Sequence, residues 1–369
     1  MVTVHSDHVG SLLRPARLLA ARRQHAQGQI DAAALRACED AAVDHVVELQ
    51  HAAGCEVVTD GEFRRLSFQS PLVEAASGFG PWDMGAFLWG HWHGEGALGE
   101  ERRARPPDLG VRARLERQRY PFVEEFSYLR GRSSRILKVT LPSPSLLANF
   151  WSAAESRAAY PSLDGFLAEV ADLLCDEVAQ LERLGCRYLQ LDAPHYPLLL
   201  DPEARAFYER TGVSATGWLA RGIELDNAVM AAAPGVTFGF HLCRGNQHSR
   251  WLVAGSYEPI AAAVFAGVRA HRLLLEYDDE RSGDFAPLRH VPADKMVVLG
   301  LVTTKSPRRE TVAELARRVG EAARYVAREQ LALSPQCGFA SSLEGNALSE
   351  ADQAAKLGLV AQAAADIWG

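Results

Sequence analysis

The chain has 369 residues, of which 48% are hydrophobic, and its formal net charge is -7. This length and apolar content allow a sizeable core, while the lack of a basic stripe argues against nucleic acid, and no apolar run reaches the roughly 18 residues of a membrane span. Six cysteines in so long a chain do not indicate a disulfide framework, and no signal peptide is evident, so a cytoplasmic protein is expected.

Short β-rich runs alternate with longer helical patterns along the chain. The expected strands are residues 3–5, 56–59, 135–140, 187–191, 236–241, 272–276, 296–301 and 330–334. Several of these runs are apolar throughout, which is typical of parallel strands buried on both faces. Between them, residues 166–184 show one apolar face of a 3.6-residue period, and residues 313–326 behave similarly. This alternation predicts an α/β fold, a (β/α)8 TIM barrel formed as one catalytic unit by residues 1–369.

Residues 78–110 interrupt the alternation after the second predicted strand. They are rich in Gly, Trp, His and Arg and show no clear period. Long loops usually carry function or are disordered, and the aromatic side chains here argue against disorder. In a barrel this insertion would lie over the catalytic rim, so we expect a lid. His91 and His93 have the i, i+2 spacing of a metal pair, but with no third donor nearby a second metal is the less favoured interpretation.

Four potential metal ligands fall at the ends of predicted strands. His241 and Cys243 lie two residues apart, so both side chains point to the same face of their strand. Glu276 ends the next predicted strand, Cys337 follows the last one, and the carboxyl ends of barrel strands meet at one rim. Imidazole, thiolate and carboxylate are accepted zinc donors. The sequence therefore predicts a Zn²⁺ site, whereas any one of these residues alone would indicate only a buried core side chain.

Other residues follow strands at the same rim. Glu62 follows the second predicted strand, and Asp192 comes directly after the fourth. Each carboxylate is expected to hold a substrate ammonium, with a helix N-cap or a rim hydrogen bond as the alternative. Trp151, after the third predicted strand, either stacks on a flat methyl donor or packs in the core. Two thiolates and a carboxylate would leave zinc with a net negative charge, which suits a bound thiolate better than activation of water.

Together these motifs resemble the catalytic barrel of the cobalamin-independent methionine synthase family. The resemblance is carried by Glu276 and by residues 8–11, 60–62, 189–194, 241–243, 300–307 and 337–338. It implies zinc ligation by His241, Cys243, Glu276 and Cys337.

The resemblance also implies roles for residues that bind the amino-acid substrate. Ser11 or the backbone of Gly10 would hold the substrate carboxylate, and Glu62 with Asp192 would hold its ammonium. The family places a histidine, thought to relay a proton, where this chain has Lys305. Lys305 and Asp192 are therefore the expected catalytic residues.

The activity implied is that of a zinc-dependent S-methyltransferase of the 5-methyltetrahydropteroyltriglutamate–homocysteine type, acting in methionine biosynthesis. A zinc-bound thiolate of homocysteine or a similar thiol would attack a methyl group. The methyl donor could be a folate or a methylcorrinoid. Two-barrel members of the family use their additional barrel to hold the folate tail, and this chain is expected to form only one barrel, so a folate donor is not implied. The alternatives are an epoxide–thiol (coenzyme M-type) transferase or a carbon–sulfur lyase with the same zinc site, and a non-enzymatic zinc- or thiol-binding protein. Neither a nucleic acid nor a membrane partner is expected, and an oligomer is possible.

Overall fold

The computed structural model describes residues 2–210 and 213–369. Its strands are β1 (Val57–Val58), β2 (Ala76–Phe79), β3 (Gly90–Trp92), β4 (Glu101–Arg103), β5 (Val111–Arg117), β6 (Ile136–Pro142), β7 (Tyr188–Asp192), β8 (Thr237–Leu242), β9 (Arg272–Glu276), β10 (Met296–Val302) and β11 (Leu331–Pro335). Its α-helices are α1 (Ala16–Ala26), α2 (Ala32–Ala52), α3 (Ser70–Ala75), α4 (Gly85–Leu88), α5 (Pro121–Leu129), α6 (Leu163–Arg183), α7 (His195–Leu198), α8 (Pro202–Glu209), α9 (Ala215–Ala231), α10 (Glu258–Gly267), α11 (Val312–Ala322) and α12 (Glu350–Trp368). Short 3-10 helices lie at Gly96–Leu98, Pro144–Phe150, Glu280–Ser282, Ala286–His290 and Arg328–Gln330.

The main sheet follows the chain order. Within the described ranges it contains seven strands in the order β1-β6-β7-β8-β9-β10-β11, and every neighbouring pair is parallel. Strands β7, β8, β9 and β11 are buried along their whole length. Parallel strands with helices outside them have both faces covered, which explains their continuous apolar sequence. The predicted TIM-type barrel is confirmed, and with it every predicted strand except the first.

The first predicted strand, residues 3–5, was wrong as a strand. The segment runs extended beside β11, where the Asp7 amide donates to the Leu333 carbonyl (2.9 Å) and the Leu333 amide donates to the His5 carbonyl (2.8 Å). Toward β1 the contacts come from side chains, since the Ser6 hydroxyl donates to Glu56 Oε1 (2.8 Å). The segment therefore fills the gap between β11 and β1 without a ladder of backbone hydrogen bonds on both sides.

Helix α6 shows why the predicted helices formed. The Ser162 hydroxyl caps its start by accepting from the Gly165 amide (3.2 Å), and Gly185 follows its end at a φ of +93°. A left-handed residue of this kind after a helix is favourable for glycine. The apolar face is fully buried, and its members are Phe166, Val170, Leu174, Val178 and Leu181. Across residues 2–210 and 213–369, we find no helix with the length and apolar character needed to cross a membrane.

Residues 78–110 form ordered local structure above the sheet. Strand β3 pairs with β4, and β2 pairs with β5, both antiparallel. Trp92 is buried, and its indole N–H donates to the Leu88 carbonyl (2.8 Å). The His93 and Trp251 backbones exchange hydrogen bonds of 2.7 and 2.9 Å, which attach β3 to the loop after β8. Strand pairing, the buried Trp92 ring and the backbone hydrogen bonds to Trp251 thus hold this insertion in place.

A buried charge cluster joins the N-terminal segment to the sheet. The Asp7 carboxylate lies 2.9 Å from the Lys138 ammonium and 3.3 Å from the Arg272 guanidinium, and it accepts from the Tyr188 hydroxyl (2.6 Å). Burial alone would raise the pKa of Asp7, but the two cations outweigh it and lower that pKa from 3.8 to about 2. The stabilisation is therefore complete above about pH 4 and is lost as the pH falls toward 2.

We expect Asp7→Asn to lower the free energy of unfolding by about 3–5 kcal/mol at pH 7, because it leaves two buried cations without their counter-charge. The difference from wild type should shrink near pH 3, where the wild-type carboxylate begins to protonate. Urea unfolding at both pH values measures this. As a control, Asp164→Asn breaks an exposed ion pair with Arg221 and should cost less than about 1 kcal/mol. Equal losses in the two variants would contradict the expectation.

Candidate metal centre

Three predicted ligands meet at the carboxyl end of the sheet. His241 is the second-to-last residue of β8, Cys243 comes directly after the end of that strand, and Cys337 follows β11. One ligand atom from each lies within 4.8 Å of the others, and Cys337 Sγ is 3.6 Å from His241 Nε2. All three side chains are buried. The two-residue spacing and the barrel topology have thus brought donors from distant segments together.

The imidazole of His241 is oriented for ligation. Its Nδ1 lies 3.2 Å from the Leu274 carbonyl oxygen, which can only accept, so Nδ1 carries the proton. Nε2 therefore faces Cys337. Burial would lower the pKa of His241, but the hydrogen bond and charge of Cys337 raise it above its ordinary value, so a metal ion would take the place of a proton on Nε2. A metal-binding histidine usually has its second nitrogen fixed by such a partner.

The two cysteines share a proton. A hydrogen bond from Cys243 holds the pKa of Cys337 well below its usual range, with further lowering by His241 and Lys305, although burial opposes this. The same contact, together with burial, raises the pKa of Cys243 well above its usual value. One thiolate is thus already formed beside the imidazole of His241, and a cation that displaced the remaining protons would pair with two thiolates and the imidazole nitrogen.

Glu276 lies beside this group but outside the 4.8 Å set. It is fully buried at the end of β9, and its Oε2 accepts from the Arg244 amide (2.7 Å). Oε1 has no hydrogen-bond partner among the described residues, although Arg281 Nη2 lies 3.7 Å away. Burial raises the pKa of Glu276, but Lys305, Arg244 and Arg281 together lower it below its ordinary value. An ionised carboxylate with a bare buried oxygen fits a fourth zinc donor, so the residues present suit the metal.

A cavity of about 830 Å³ leads from these donors to the insertion. Its inner wall includes Ser11, Glu62, Asp192, His241, Cys243 and Cys337. Its outer wall is formed by residues 86–93 and 102–105. The volume lies within the usual range for small-molecule sites. The insertion therefore borders the path to the candidate metal centre, as expected for a loop at this rim.

Glu62 and Asp192 face the same cavity as buried carboxyl groups. Glu62 Oε1 accepts from the Thr140 hydroxyl (2.7 Å), while Oε2 has no partner among the described residues. Its φ is +60°, a strained value for a non-glycine residue. Asp192 Oδ1 accepts from the Gln190 amide (2.7 Å), and burial, opposed by His241, raises the pKa of Asp192 to about 7. Acceptor capacity is therefore free where a cationic group of a ligand would lie.

Ser11 and Gly10, the two residues expected to bind the substrate carboxylate, differ in their position relative to the cavity. The Ser11 side chain is buried and lines the cavity beside Gly338, where a Cβ atom would lie 1.9 Å from Ser11 Oγ. Only glycine at position 338 leaves room for that hydroxyl. Gly10 has a φ of +138°, and its carbonyl accepts from the Thr59 hydroxyl (2.7 Å). In the part of the chain described, Gly10 is not among the residues that line the cavity.

Trp151 and Lys305 also lie outside the cavity lining, as far as the described residues show. The Trp151 indole N–H donates to the Tyr160 carbonyl (3.1 Å), and its ring packs against the core, which was the alternative to stacking on a methyl donor. The Lys305 ammonium donates to the Gly245 carbonyl (2.9 Å), Asn246 Oδ1 (3.2 Å) and the Arg250 carbonyl (3.4 Å). The loops after β8 and β10 thereby hold its charge close to Glu276 and Cys337.

His195 is a cavity residue to which the sequence assigned no role. It is fully buried, and its Nε2 lies 2.7 Å from the Ser145 hydroxyl. Burial lowers the pKa of His195 to about 3, so the ring is neutral. The sequence did offer one signal that His195 lies in the cavity: it follows the end of β7, three residues beyond Asp192.

The chain is similar to known proteins over most of its length. Residues 148–364, more than half of the chain, match the family model described as cobalamin-independent synthase, catalytic domain. The uncharacterized protein YxjH of Bacillus subtilis is 35% identical over 366 residues, which cover 98% of this chain and 94% of that protein. The methionine synthase of Pyrococcus abyssi is 26% identical over 336 residues, covering 90% and 85% respectively.

A solved structure shows the same likeness. The crystal structure of the putative vitamin-B12 independent methionine synthase from Listeria monocytogenes has a TM-score of 0.77 to this chain at 28% identity, and the alignment covers 100% of this chain and 99% of that one. The family predicted from the motifs is thereby confirmed: the chain belongs to the cobalamin-independent methionine synthase family.

Proposed function

We propose that this protein is a zinc-dependent thiol alkyltransferase that methylates homocysteine or a similar amino thiol. The observation that carries the proposal is the buried His241–Cys243–Cys337 group, which opens on a cavity that also holds two carboxyl groups. Membership of a family with relatives named methionine synthase supports the methyl transfer. We propose further that residues 1–369 act as one catalytic barrel, with residues 78–110 as its lid.

His241, Cys243 and Cys337 would hold the zinc, with Glu276 as the fourth donor. Bound there, the ion would supply a soft cationic centre that favours the ionised form of a thiol at neutral pH. Carboxylate is the hardest donor of the four, so Glu276 would be the donor held least firmly by a soft cation. The surrounding Lys305, Arg244 and Arg281 would keep Glu276 ionised.

The protein's own residues would orient the substrate. Glu62 and Asp192 would hold its ammonium, and that positive charge would restore the ionised form of Asp192. Ser11 would donate to its carboxylate. The substrate thiolate then attacks the methyl carbon in line: a carbon–sulfur bond forms, the bond between the methyl group and its donor breaks, and the donor keeps the electron pair. Fixing both reactants in this geometry is a large part of such catalysis.

Lys305 serves in this scheme as a fixed positive charge, because its ammonium hydrogens are already directed at three oxygen atoms. We expect Lys305→Met to lower the free energy of unfolding by about 1–3 kcal/mol, since those acceptors lose their donor. Metal-free Lys305→Met should also react more slowly with iodoacetamide at Cys337, whose pKa it helps to lower. The pH profile of turnover should keep its shape.

Lys295→Met is the matched control. The Lys295 ammonium is also buried, and it donates to the carbonyls of Phe265 and Val268 away from the cavity. It should lose similar stability with unchanged cysteine reactivity. If the pH profile of turnover lost one of its two slopes in Lys305→Met but not in Lys295→Met, Lys305 would instead relay a proton.

Substrate assays test the function directly. Thiol consumption should be followed with homocysteine and each of three electrophiles: methyltetrahydrofolate, a methylated corrinoid and a small epoxide. Methylation with either of the first two supports the proposal and identifies the donor. Consumption with the epoxide alone would favour an epoxide–thiol transferase. Retained zinc without turnover of any donor would favour a binding protein and contradict the proposal.

A further inference from the structure

We propose that His91, His93 and Glu100 form a second metal site, for a divalent transition-metal ion, at the mouth of the cavity. The sequence showed the two histidines but no third donor. The structure supplies one, because the turn after β3 brings Glu100 back beside them, just before β4 begins. This site is separate from the cysteine-containing centre and does not depend on the proposed function.

The three side chains converge on one point. His91 Nε2 lies 2.6 Å from Glu100 Oε2, and His93 Nδ1 lies 2.9 Å from the same oxygen. The two imidazole rings are 4.4 Å apart between centroids, and one ligand atom from each residue falls within 4.8 Å of the others. A cation there would replace these contacts with bonds to both imidazoles and the carboxylate.

The backbone that carries these side chains is fixed on both sides. In the β3–β4 pair, His91 is opposite Arg102, and Trp92 is opposite Glu101. The Trp92 ring is buried and holds β3 against the protein, and backbone hydrogen bonds between His93 and Trp251 attach β3 to the loop after β8. The two histidine side chains are therefore held on the same face of β3 in the absence of a metal. Metal binding would require little further ordering of the chain, so its entropic cost would be small.

The donor types define the class of ion. Two imidazoles and a carboxylate suit Zn²⁺, Co²⁺ or Ni²⁺, and they leave coordination positions for water or a ligand. The side chains of His91, His93 and Glu100 are 38%, 34% and 61% exposed, so an ion can enter from solvent. Both histidines also line the cavity. An ion at this site would therefore sit where a substrate enters.

The experiment isolates this site by removing Cys243 from the other one. Purified Cys243→Ser protein should be treated with a chelator, dialysed and titrated with Zn²⁺ against a chromophoric competitor. We expect about one Zn²⁺ per chain. Adding His91→Ala and His93→Ala should weaken binding by more than roughly 10–100-fold, the loss seen when only a partner of a metal ligand is removed.

His45→Ala in the same Cys243→Ser background is the matched control, because His45 is an exposed imidazole paired with a single carboxylate, Glu350 (3.1 Å). It should leave the affinity unchanged. Three results would each overturn the proposal: no Zn²⁺ binding by Cys243→Ser, the same affinity after both lid histidines are removed, or an equal loss in the His45→Ala control.

Discussion

Cys337→Ser and Cys243→Ser are each expected to reduce methylation of homocysteine to below about 1% of wild type, a loss of more than about 2.7 kcal/mol of transition-state stabilisation. In a His91→Ala, His93→Ala background, which removes the proposed lid site, both should also lose the zinc that the parent protein retains after dialysis. Serine is close in size to cysteine, but its hydroxyl does not ionise at neutral pH, so the site would lose a thiolate donor. Metal analysis and initial rates measured on the same preparations test both expectations.

Cys175→Ser is the control for these variants. Cys175 lies on α6, half-buried and outside the cavity lining in the described part of the chain. It should keep wild-type zinc and activity. Thermal unfolding should show that all three variants are folded, because the core of the barrel is formed by other residues. Full zinc content in either Cys337→Ser or Cys243→Ser, measured in the background that lacks the lid histidines, would show that the ligand assignment is wrong.

Asp192→Asn is expected to raise the KM for homocysteine by about 10–100-fold, because a charge-assisted hydrogen bond to the substrate ammonium contributes about 1.5–3 kcal/mol. The amide keeps the size of the side chain and can still accept, but it carries no charge. The deamino analogue of homocysteine has no ammonium for Asp192 to hold, so its KM should change little. The ratio of the two KM changes is the quantity to measure.

Glu62→Gln provides an independent check, since Glu62 faces the same cavity with an unpaired carboxylate oxygen. It should show the same preference for the deamino analogue. If either variant impairs both thiols equally, the carboxylate supports the structure of the site and does not bind the ammonium.

Much of the fold could be predicted because buried parallel strands leave a plain sequence signal. Leu273, Leu274 and Leu275 in β9 are all buried, and such continuous apolar runs located the strands. The first predicted segment, residues 3–5, is a short β-rich run with only one apolar residue, Val4, and it does not form a strand. Its fixed points are a single bridge from Ser6 to Leu333 and side-chain hydrogen bonds, which no residue pattern distinguishes from a ladder.

The candidate site also has a part that the sequence predicted and a part that it did not. His241, Cys243 and Cys337 could be placed together because strand periodicity and barrel topology fix where they lie. The positions of Trp151 and Lys305 depend on how loops fold back on their neighbours, and loops have no period from which to predict it. Glu100 was missed for the same reason, since a turn decides its place beside His91.

X-ray absorption at the zinc edge, recorded with and without homocysteine, tests the central proposal most directly. The His91→Ala, His93→Ala background should be used so that the lid contributes no metal. We expect about one zinc per chain bound by two sulfur atoms, with a third sulfur appearing and an oxygen lost when homocysteine is added. Protein that binds no zinc, or a sulfur count that homocysteine leaves unchanged, would contradict a zinc-dependent thiol alkyltransferase.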